Sequence, residues 1–259
     1  MDFTVVIPAR FASTRFPGKP LADIEGKPMI QHVWERCVQS NATKVVIATD
    51  DLRIKKIAEV FGASVCMTRA DHPTGTDRLQ EVVAQLGLYD QQIVVNVQGD
   101  EPLIPPSVIN QVANNLAVQK IASIATLSES ITDLDVLLDP NSVKVLNDIN
   151  GLALYFSRAP IPWPREAFNV QKPKAMPTDF QWQRHVGIYA YTVALLNKYV
   201  TWAPAPVEET ECLEQLRAMW YGERIHVATA IQSIPLGIDT PADLKKLLAY
   251  LAHSKQRLH

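Results

Sequence analysis

FTVVIPARFASTRFPGKP, residues 3–20, decides how this chain is read. Phe3-Thr4-Val5-Val6-Ile7 is a short apolar run of the kind that forms a buried strand. The loop that follows, Pro8 to Pro20, carries three cations (Arg10, Arg15, Lys19), two hydroxyls (Ser13, Thr14) and a glycine, Gly18. No helical pattern resumes until about Met29. A loop just past the carboxyl end of a first strand lies where open α/β sheets bind ligands. Clustered cations, hydroxyls and a close-approaching backbone suit a polyphosphate. The alternative is a solvated basic surface loop. The length of the segment argues against it, because long loops in compact domains tend to carry function.

Around this loop the bulk composition is unremarkable. The 259 residues are 47% hydrophobic and 20% charged, with a formal net charge of -2. That length suits one large α/β domain, with or without an insertion, and allows a sizeable core. The near-neutral charge excludes broad attraction to nucleic acid or anionic membranes, so the basic loop is a local feature. Three cysteines, Cys37, Cys66 and Cys212, are widely spaced and odd in number, which disfavours a disulfide framework or a zinc site. The opening residues show no signal-peptide pattern, and no apolar run approaches the roughly 18 residues of a membrane span. A cytoplasmic location with no membrane insertion is therefore expected.

Strands and helices alternate along the first half. Helical patterns at about 29–40 and 52–61 and strands at 44–49 and 64–67 predict a parallel sheet with right-handed crossovers. Asp51 is a candidate helix cap and Gly62 a terminator. The loop 71–78 (DHPTGTDR) leads into a helix to about residue 86. Thr74 or Thr76 could cap it, and free amides at a helix start attract anions; simple capping with a surface Arg78 reads equally well. Residues 92–97 (QIVVNV) are nearly all apolar or β-branched and read as a central strand. They run into Gln98-Gly99-Asp100-Glu101, an acidic pair at the strand's carboxyl end. It is either a polar turn or a site for the Mg²⁺ of a nucleotide, and the phosphate-suited first loop at the same sheet edge favours the metal.

The second half is less regular. Residues 121–131 are strand-like, and 143–146 and 152–156 flank a hairpin turn at 147–151. A Pro-rich stretch from 157 to about 183 reads as an excursion whose aromatic content suits a subunit interface. In the strand 184–191 (RHVGIYAY), alternation puts His185 and Tyr189 on one side. An acidic helix is expected from 207 to about 221, with Glu211 and Glu214 sharing a face, either a solvated surface or a functional one. Strand 224–228 and a helix capped by Thr240 complete the chain. Asp239 could be a cap or a second metal ligand.

These pieces together resemble one family across nearly the whole chain. IPARFASTRFPGKPL (7–21), GTDRL (75–79), VNVQGDEPLIP (95–105), YFSRAPIPW (155–163), RHVGIYAY (184–191), LEQLR (213–217) and GIDTPADL (237–244) are similar to the CMP-Kdo synthetases, the 3-deoxy-manno-octulosonate cytidylyltransferases of lipopolysaccharide synthesis. The resemblance implies a Rossmann-like nucleotide-diphospho-sugar transferase fold of GT-A type, with a mostly parallel central sheet. It implies a single domain over 1–259 with an inserted dimerisation and sugar-site excursion at about 130–190, and a homodimer. The implied reaction joins CTP to an acidic 3-deoxy-octulosonic sugar, giving a CMP-sugar and pyrophosphate with Mg²⁺.

Carried over residue by residue, the resemblance makes Ala9, Arg10, Ser13, Lys19, Thr74, Gly75, Arg78 and Gln98 nucleotide-binding. Asp100 and Asp239 become the metal ligands. Gln98, Arg158, His185, Tyr189, Glu211 and Glu214 become the sugar pocket, and Lys19, Arg10, Asp100 and Asp239 the catalytic set. The chain departs from the family pattern at Thr74 and Asp77, at 127–130, and in the lead-in to Asp239 at 233–241. The last departure raises an 8-amino-3,8-dideoxy sugar as an alternative substrate, with Glu129 or Glu209 as partner for its ammonium. A non-catalytic nucleotide-binding protein of the same fold is the second alternative.

Overall fold

The computed structural model describes residues 1–12, 15–168, 175–178, 180–235 and 237–256, with 254–256 described by backbone alone. Ser13 lies outside them. The first strand, β1 (Phe3–Ala9), is followed by a one-turn 3-10 segment (Lys19–Leu21) and a small hairpin of β2 (Asp23–Ile24) and β3 (Lys27–Pro28), where only loop was expected. Then come α1 (Met29–Val38), β4 (Lys44–Thr49), α2 (Leu52–Val60), β5 (Ser64–Met67), α3 (Gly75–Gln85), β6 (Ile93–Asn96), α4 (Pro106–Val118) and β7 (Ile124–Ser130). The rest is α5 (Leu134–Leu138), which the sequence pattern had not signalled, then β8 (Lys144–Asn147), β9 (Ala153–Ser157), β10 (Gln183–Thr192), α6 (Val193–Tyr199), α7 (Pro206–Glu211), α8 (Gln215–Trp220), β11 (Ile225–Thr229) and α9 (Pro241–Gln256). No helix among the described residues is long and apolar enough to cross a membrane.

The main sheet runs β11-β7-β10-β6-β1-β4-β5. β6, β1, β4 and β5 are mutually parallel, as the alternating sequence predicts. Val5 and Ile7 of β1 pack into one core with Ile30 and Val33 of α1 and Val108 and Val112 of α4. Val6, one step out of phase, packs on the opposite face with Leu79 and Val82 of α3 and Leu196 of α6. Helices thus cover both faces, which is why the strands read as continuous apolar runs. Asp51 and Thr74 cap α2 and α3, accepting from the amides of Arg53 and Asp77.

β10 is the irregular member. It lies antiparallel to β7 along its length, with a bulge between Val186 and Tyr189. On its other edge it pairs with β8 at Gln183 and Arg184, then with β6 from Tyr189 onward. The sheet is open between those two ladders. The hydroxyl of Thr126 sits within 3.1 and 2.8 Å of the Val186 and Ile188 carbonyls, which fixes the bulge. The excursion beyond β7 builds a small core of its own from Ile131, Leu137, Phe168 and Trp182.

One expectation needs correction. The acidic helix is not continuous: α7 ends at Cys212, whose φ of 51° is left-handed, and α8 starts afresh. Inside, the buried Glu208 carboxylate forms a bidentate pair with Arg217, at 2.7 Å for each bond. These residues are nine apart, and a straight helix of 3.6 residues per turn would point them in roughly opposite directions. The break at Cys212 lets them meet, and it sends Glu211 and Glu214 to different neighbours.

Gly99 shows how tightly the active edge is built. A Cβ there would lie 2.7 Å from the Pro8 carbonyl oxygen. Gly99→Ala should therefore lower unfolding stability by about 1–3 kcal/mol through forced backbone displacement. Gly187→Ala, where nothing lies within 4 Å of the added carbon, should stay within about 0.5 kcal/mol. Urea denaturation of the two variants checks the contrast.

Candidate active site

The carboxyl ends of β1 and β6 and the open edge of β10 border two adjoining cavities, of about 460 and 260 Å³, that share His185 and Gly187 as a wall. The larger holds the acidic groups. Asp100 follows β6, and Asp239 precedes α9, whose first turn is fixed by a reciprocal Thr240–Asp243 capping box. The Ile238 amide donates to the Asp100 carbonyl at 2.9 Å, which brings the two loops together. Lys19 Nζ then reaches both carboxylates, at 2.6 Å from Asp100 Oδ2 and 3.3 Å from Asp239 Oδ1. Arg15, one of the three loop cations but given no specific role by the resemblance, adds a contact of 3.1 Å to Asp239 Oδ1. Beside Asp100, burial and the neighbouring charge push the Glu101 carboxyl up to about 8.

Lys19 is placed by its loop. Gly18, at φ 72°, closes the loop by donating its amide to the Phe11 carbonyl at 2.9 Å, and Pro20 is buried just beyond. Ala9 is buried at the end of β1. Arg10 points across the edge to the His72 carbonyl, at 3.1 Å, and so meets the 71–78 loop. There the amides of Gly75 and Thr76 and the Thr76 hydroxyl all donate to the Glu214 carboxylate, at 3.3, 3.4 and 3.0 Å. The helix start expected to attract an anion thus holds one, from Glu214, the residue that precedes α8. Arg78 is wholly buried. Its guanidinium bonds Thr68 and Asp50, so it shapes the edge from beneath.

The smaller cavity is lined by Gln98, Asn96, His185, Tyr189, Glu214 and Gln215, among others. Three of its polar atoms, Asn96 Oδ1, Tyr189 Oη and Gln215 Nε2, are buried without a hydrogen-bond partner. In the larger cavity Glu101 Oε2 and Ser142 Oγ share that condition. Buried polar groups are nearly always paired, so such a cluster marks where water or a polar ligand supplies the missing partners. Asn96 and Gln215 were missed in the sequence. Asn96 had a signal, as the one amide in an otherwise apolar strand.

His185 and Tyr189 do face the same side, with ring centroids 5.3 Å apart. The His185 Nε2 lies 3.1 Å from the Thr126 hydroxyl, whose own proton goes to a carbonyl. Nε2 therefore carries the proton and Nδ1 is the acceptor. Desolvation, helped by the Arg184 charge, lowers the imidazole to about 3. Burial raises the Tyr189 phenol well above its usual value.

Arg158 and Glu211 line neither cavity, although the Arg158 guanidinium donates to the carbonyl of Cys212 at the rim of the smaller one, at 3.4 Å. Glu211 accepts from Ser157 Oγ at 2.6 Å and from the Arg158 amide at 2.9 Å, clamping α7 to β9. The Arg158 side chain bonds the Glu211 and Pro140 carbonyls, at 2.7 and 2.9 Å. Glu129, considered as an ammonium partner, is engaged by Arg184 and by the Ile234 amide. Glu209 is exposed on α7.

A family model described as cytidylyltransferase matches residues 4–225. The 3-deoxy-manno-octulosonate cytidylyltransferase of Cellvibrio japonicus (strain Ueda107) is 60% identical over 251 residues, covering 97% of this chain and 98% of that protein. Its counterpart in Pseudomonas syringae pv. syringae (strain B728a) is 58% identical, covering 95% and 96%. Among solved structures, a CMP:2-keto-3-deoxy-manno-octonic acid synthetase complexed with CTP superposes with a TM-score of 0.88 at 41% identity, covering 98% of this chain and all of that one. A 4-diphosphocytidyl-2C-methyl-D-erythritol synthase, at a TM-score of 0.62 and 12% identity over 97% of this chain and 99% of that one, shares the fold.

The state of His185 has a consequence for acid stability. Its folded value, about 3, lies below the unfolded value of about 6.5. Below pH 6.5 the unfolded chain takes up a proton that the folded one refuses, so stability falls as pH drops from there toward 3. Between pH 6.5 and 4.5, wild type should lose on the order of 2 kcal/mol more than His185→Gln. Urea midpoints at the two pH values measure this.

Proposed function

This chain belongs to the cytidylyltransferase family, and within it to the 3-deoxy-manno-octulosonate cytidylyltransferases, and from that premise we propose how its two cavities divide the work. It is a nucleotidyltransferase that activates 3-deoxy-manno-octulosonate (Kdo) with CTP. In our reading the first loop and the 71–78 loop receive the nucleotide, the smaller cavity receives the sugar, and the acidic end of the larger one lies between the reacting groups. The CMP-sugar product serves lipopolysaccharide synthesis, the role of the family.

The observation that carries this assignment is a juxtaposition. Asp100 and Asp239 converge on one ammonium beside a cavity whose buried amide and phenol atoms lack partners. A sugar rich in hydroxyls would satisfy Asn96 Oδ1, Tyr189 Oη and Gln215 Nε2 together. No cluster of three or more His, Cys, Asp or Glu side chains suited to a metal occurs among the described residues. A pair of carboxylates alone fits Mg²⁺, which takes its other ligands from phosphates and water. When bound, Mg²⁺ would offset phosphate charge and make the attacking hydroxyl more acidic.

The chain's own residues then have defined tasks. Lys19 and Arg10 neutralise the triphosphate and favour departure of pyrophosphate. Gln98, between the acidic loop and the sugar cavity, orients the anomeric hydroxyl toward the α-phosphorus for in-line displacement. Glu214 holds the start of α3 in place, and with it the loop at Thr74 and Gly75. His185, neutral across the working range, offers Nδ1 as an acceptor and adds no charge. Catalysis by positioning and charge neutralisation is the usual pattern for phosphoryl and nucleotidyl transfer. We also propose a homodimer joined through the excursion, supported by exposed Leu154, Trp163 and Phe180.

Pyrophosphate release from CTP and Mg²⁺, run with Kdo and with its 8-amino-8-deoxy analogue, tests the substrate assignment; Kdo should turn over at comparable or higher efficiency. Asp100→Asn should lower kcat by roughly 10²–10³ or more with the fold intact. Asn96→Ala should raise the KM for Kdo about tenfold and leave that for CTP within about twofold, because it strands sugar hydroxyls without an acceptor. Near-normal turnover of Asp100→Asn would overturn the catalytic assignment, and an unchanged KM for Kdo in Asn96→Ala would move the sugar elsewhere.

A further inference from the structure

We infer that Lys19 is the resident counter-ion of the Asp100–Asp239 pair, holding the place of a divalent cation in the free enzyme and passing to the triphosphate when that cation enters. The inference rests on the metal assignment made above. Its observation is that one ammonium lies within hydrogen-bond reach of both carboxylates, 2.6 Å from one and 3.3 Å from the other. The side chain is only 13% exposed, whereas Arg15, the other cation on Asp239, is 67% exposed. Lys19 is therefore the counter-ion enclosed by the site.

Two anionic loops from distant parts of the chain repel each other unless a cation stands between them. Lys19 supplies that cation without any ligand. A divalent ion held by the same oxygens must displace it, since ammonium and metal compete for the same lone pairs. The lysine is built for such a move. Its backbone is fixed by left-handed Gly18 and buried Pro20, while its four-carbon stem can swing. Its destination is the polyphosphate loop in which it sits. Nucleotide that draws Lys19 away frees the carboxylates for metal, and metal that expels Lys19 frees it for phosphate. The two ligands thus bind with positive coupling, reciprocal by linkage. The free enzyme holds a divalent cation poorly, which keeps the site from filling before CTP arrives.

Mn²⁺ binding, followed by the electron-paramagnetic resonance signal of the free ion, tests this without turnover. In the absence of nucleotide, Lys19→Gln and Lys19→Met should each bind Mn²⁺ at least about tenfold tighter than wild type, because a competing cation is gone. Lys19→Arg, which keeps the charge, should remain close to wild type, and adding Asp100→Asn to Lys19→Gln should abolish the gain. Circular dichroism confirms that each variant is folded. Unchanged or weaker Mn²⁺ binding by both neutral variants overturns the inference. A parallel titration of wild type with CTP separates the two levels. If CTP creates an Mn²⁺ site that Asp100→Asn removes, yet the neutral Lys19 variants bind no tighter alone, the placeholder role fails and the metal assignment stands. If CTP creates no Asp100-dependent site, the metal assignment fails and takes the placeholder role with it.

Discussion

The architecture turns on the pairing of β10. A strand bonded on both edges along its whole length would seal the sheet. Here the ladder to β8 ends at Arg184 and the ladder to β6 begins at Tyr189, and the bulge against β7 falls in the interval. Thr126 stabilises that interval with its hydroxyl, so the interruption is built in. Bulges commonly re-aim side chains beside active sites. In this chain the interruption opens the wall between β6 and β8 and turns His185, Gly187 and Tyr189 toward the space it creates. The parallel strands supply one side of that edge, and β10, antiparallel to β6, walls the smaller cavity beside it.

Close backbone approach holds the halves of that edge together. The Pro8 carbonyl leaves no room for a side chain at residue 99, so the basic loop and the acidic loop start from neighbouring points. The Ile238 amide then pins the third loop to Asp100. On the far side, the buried Glu208–Arg217 pair sets the angle between α7 and α8. Breaking such a pair by removing one partner leaves an uncompensated charge and costs about 3–5 kcal/mol. That angle sends Glu214 onto the start of α3 and Glu211 onto β9. The active edge is therefore supported by a charge pair buried behind it.

Much of this was legible in the sequence, and for physical reasons. Apolar runs with regular spacing gave the strands of the parallel half and their flanking helices almost to the residue. Asp51, Thr74 and Thr240 announced their helices because capping is local chemistry. The meeting of the Lys19 loop with Asp100 followed from where strands end in an open sheet, whereas Asp239 came to the site through the family resemblance. What escaped depended on contacts between distant segments. Nothing near Cys212 predicts a break, because the pair that the break permits, Glu208 with Arg217, spans nine residues. Glu211 and Glu214 therefore looked equivalent and are not. Arg78 looked like a surface ligand of a loop but lies beneath it, tied to Asp50. Asn96 carried a usable signal, an amide within a β-branched run, whereas Gln215 showed its importance only once a cavity stood beside it.

The left-handed turn at Cys212 gives the molecule an uneven thiol chemistry. Cys37 and Cys66 are buried, and Cys212 is exposed and lines the smaller cavity. An electrophile or oxidant arriving from solvent therefore finds its first thiol at the mouth of the smaller cavity, two residues from Glu214. A single covalent tag can be placed there without unfolding the chain. At the same position the backbone conformation suits glycine better than cysteine, so the reactive group and the strained turn could be removed in one exchange.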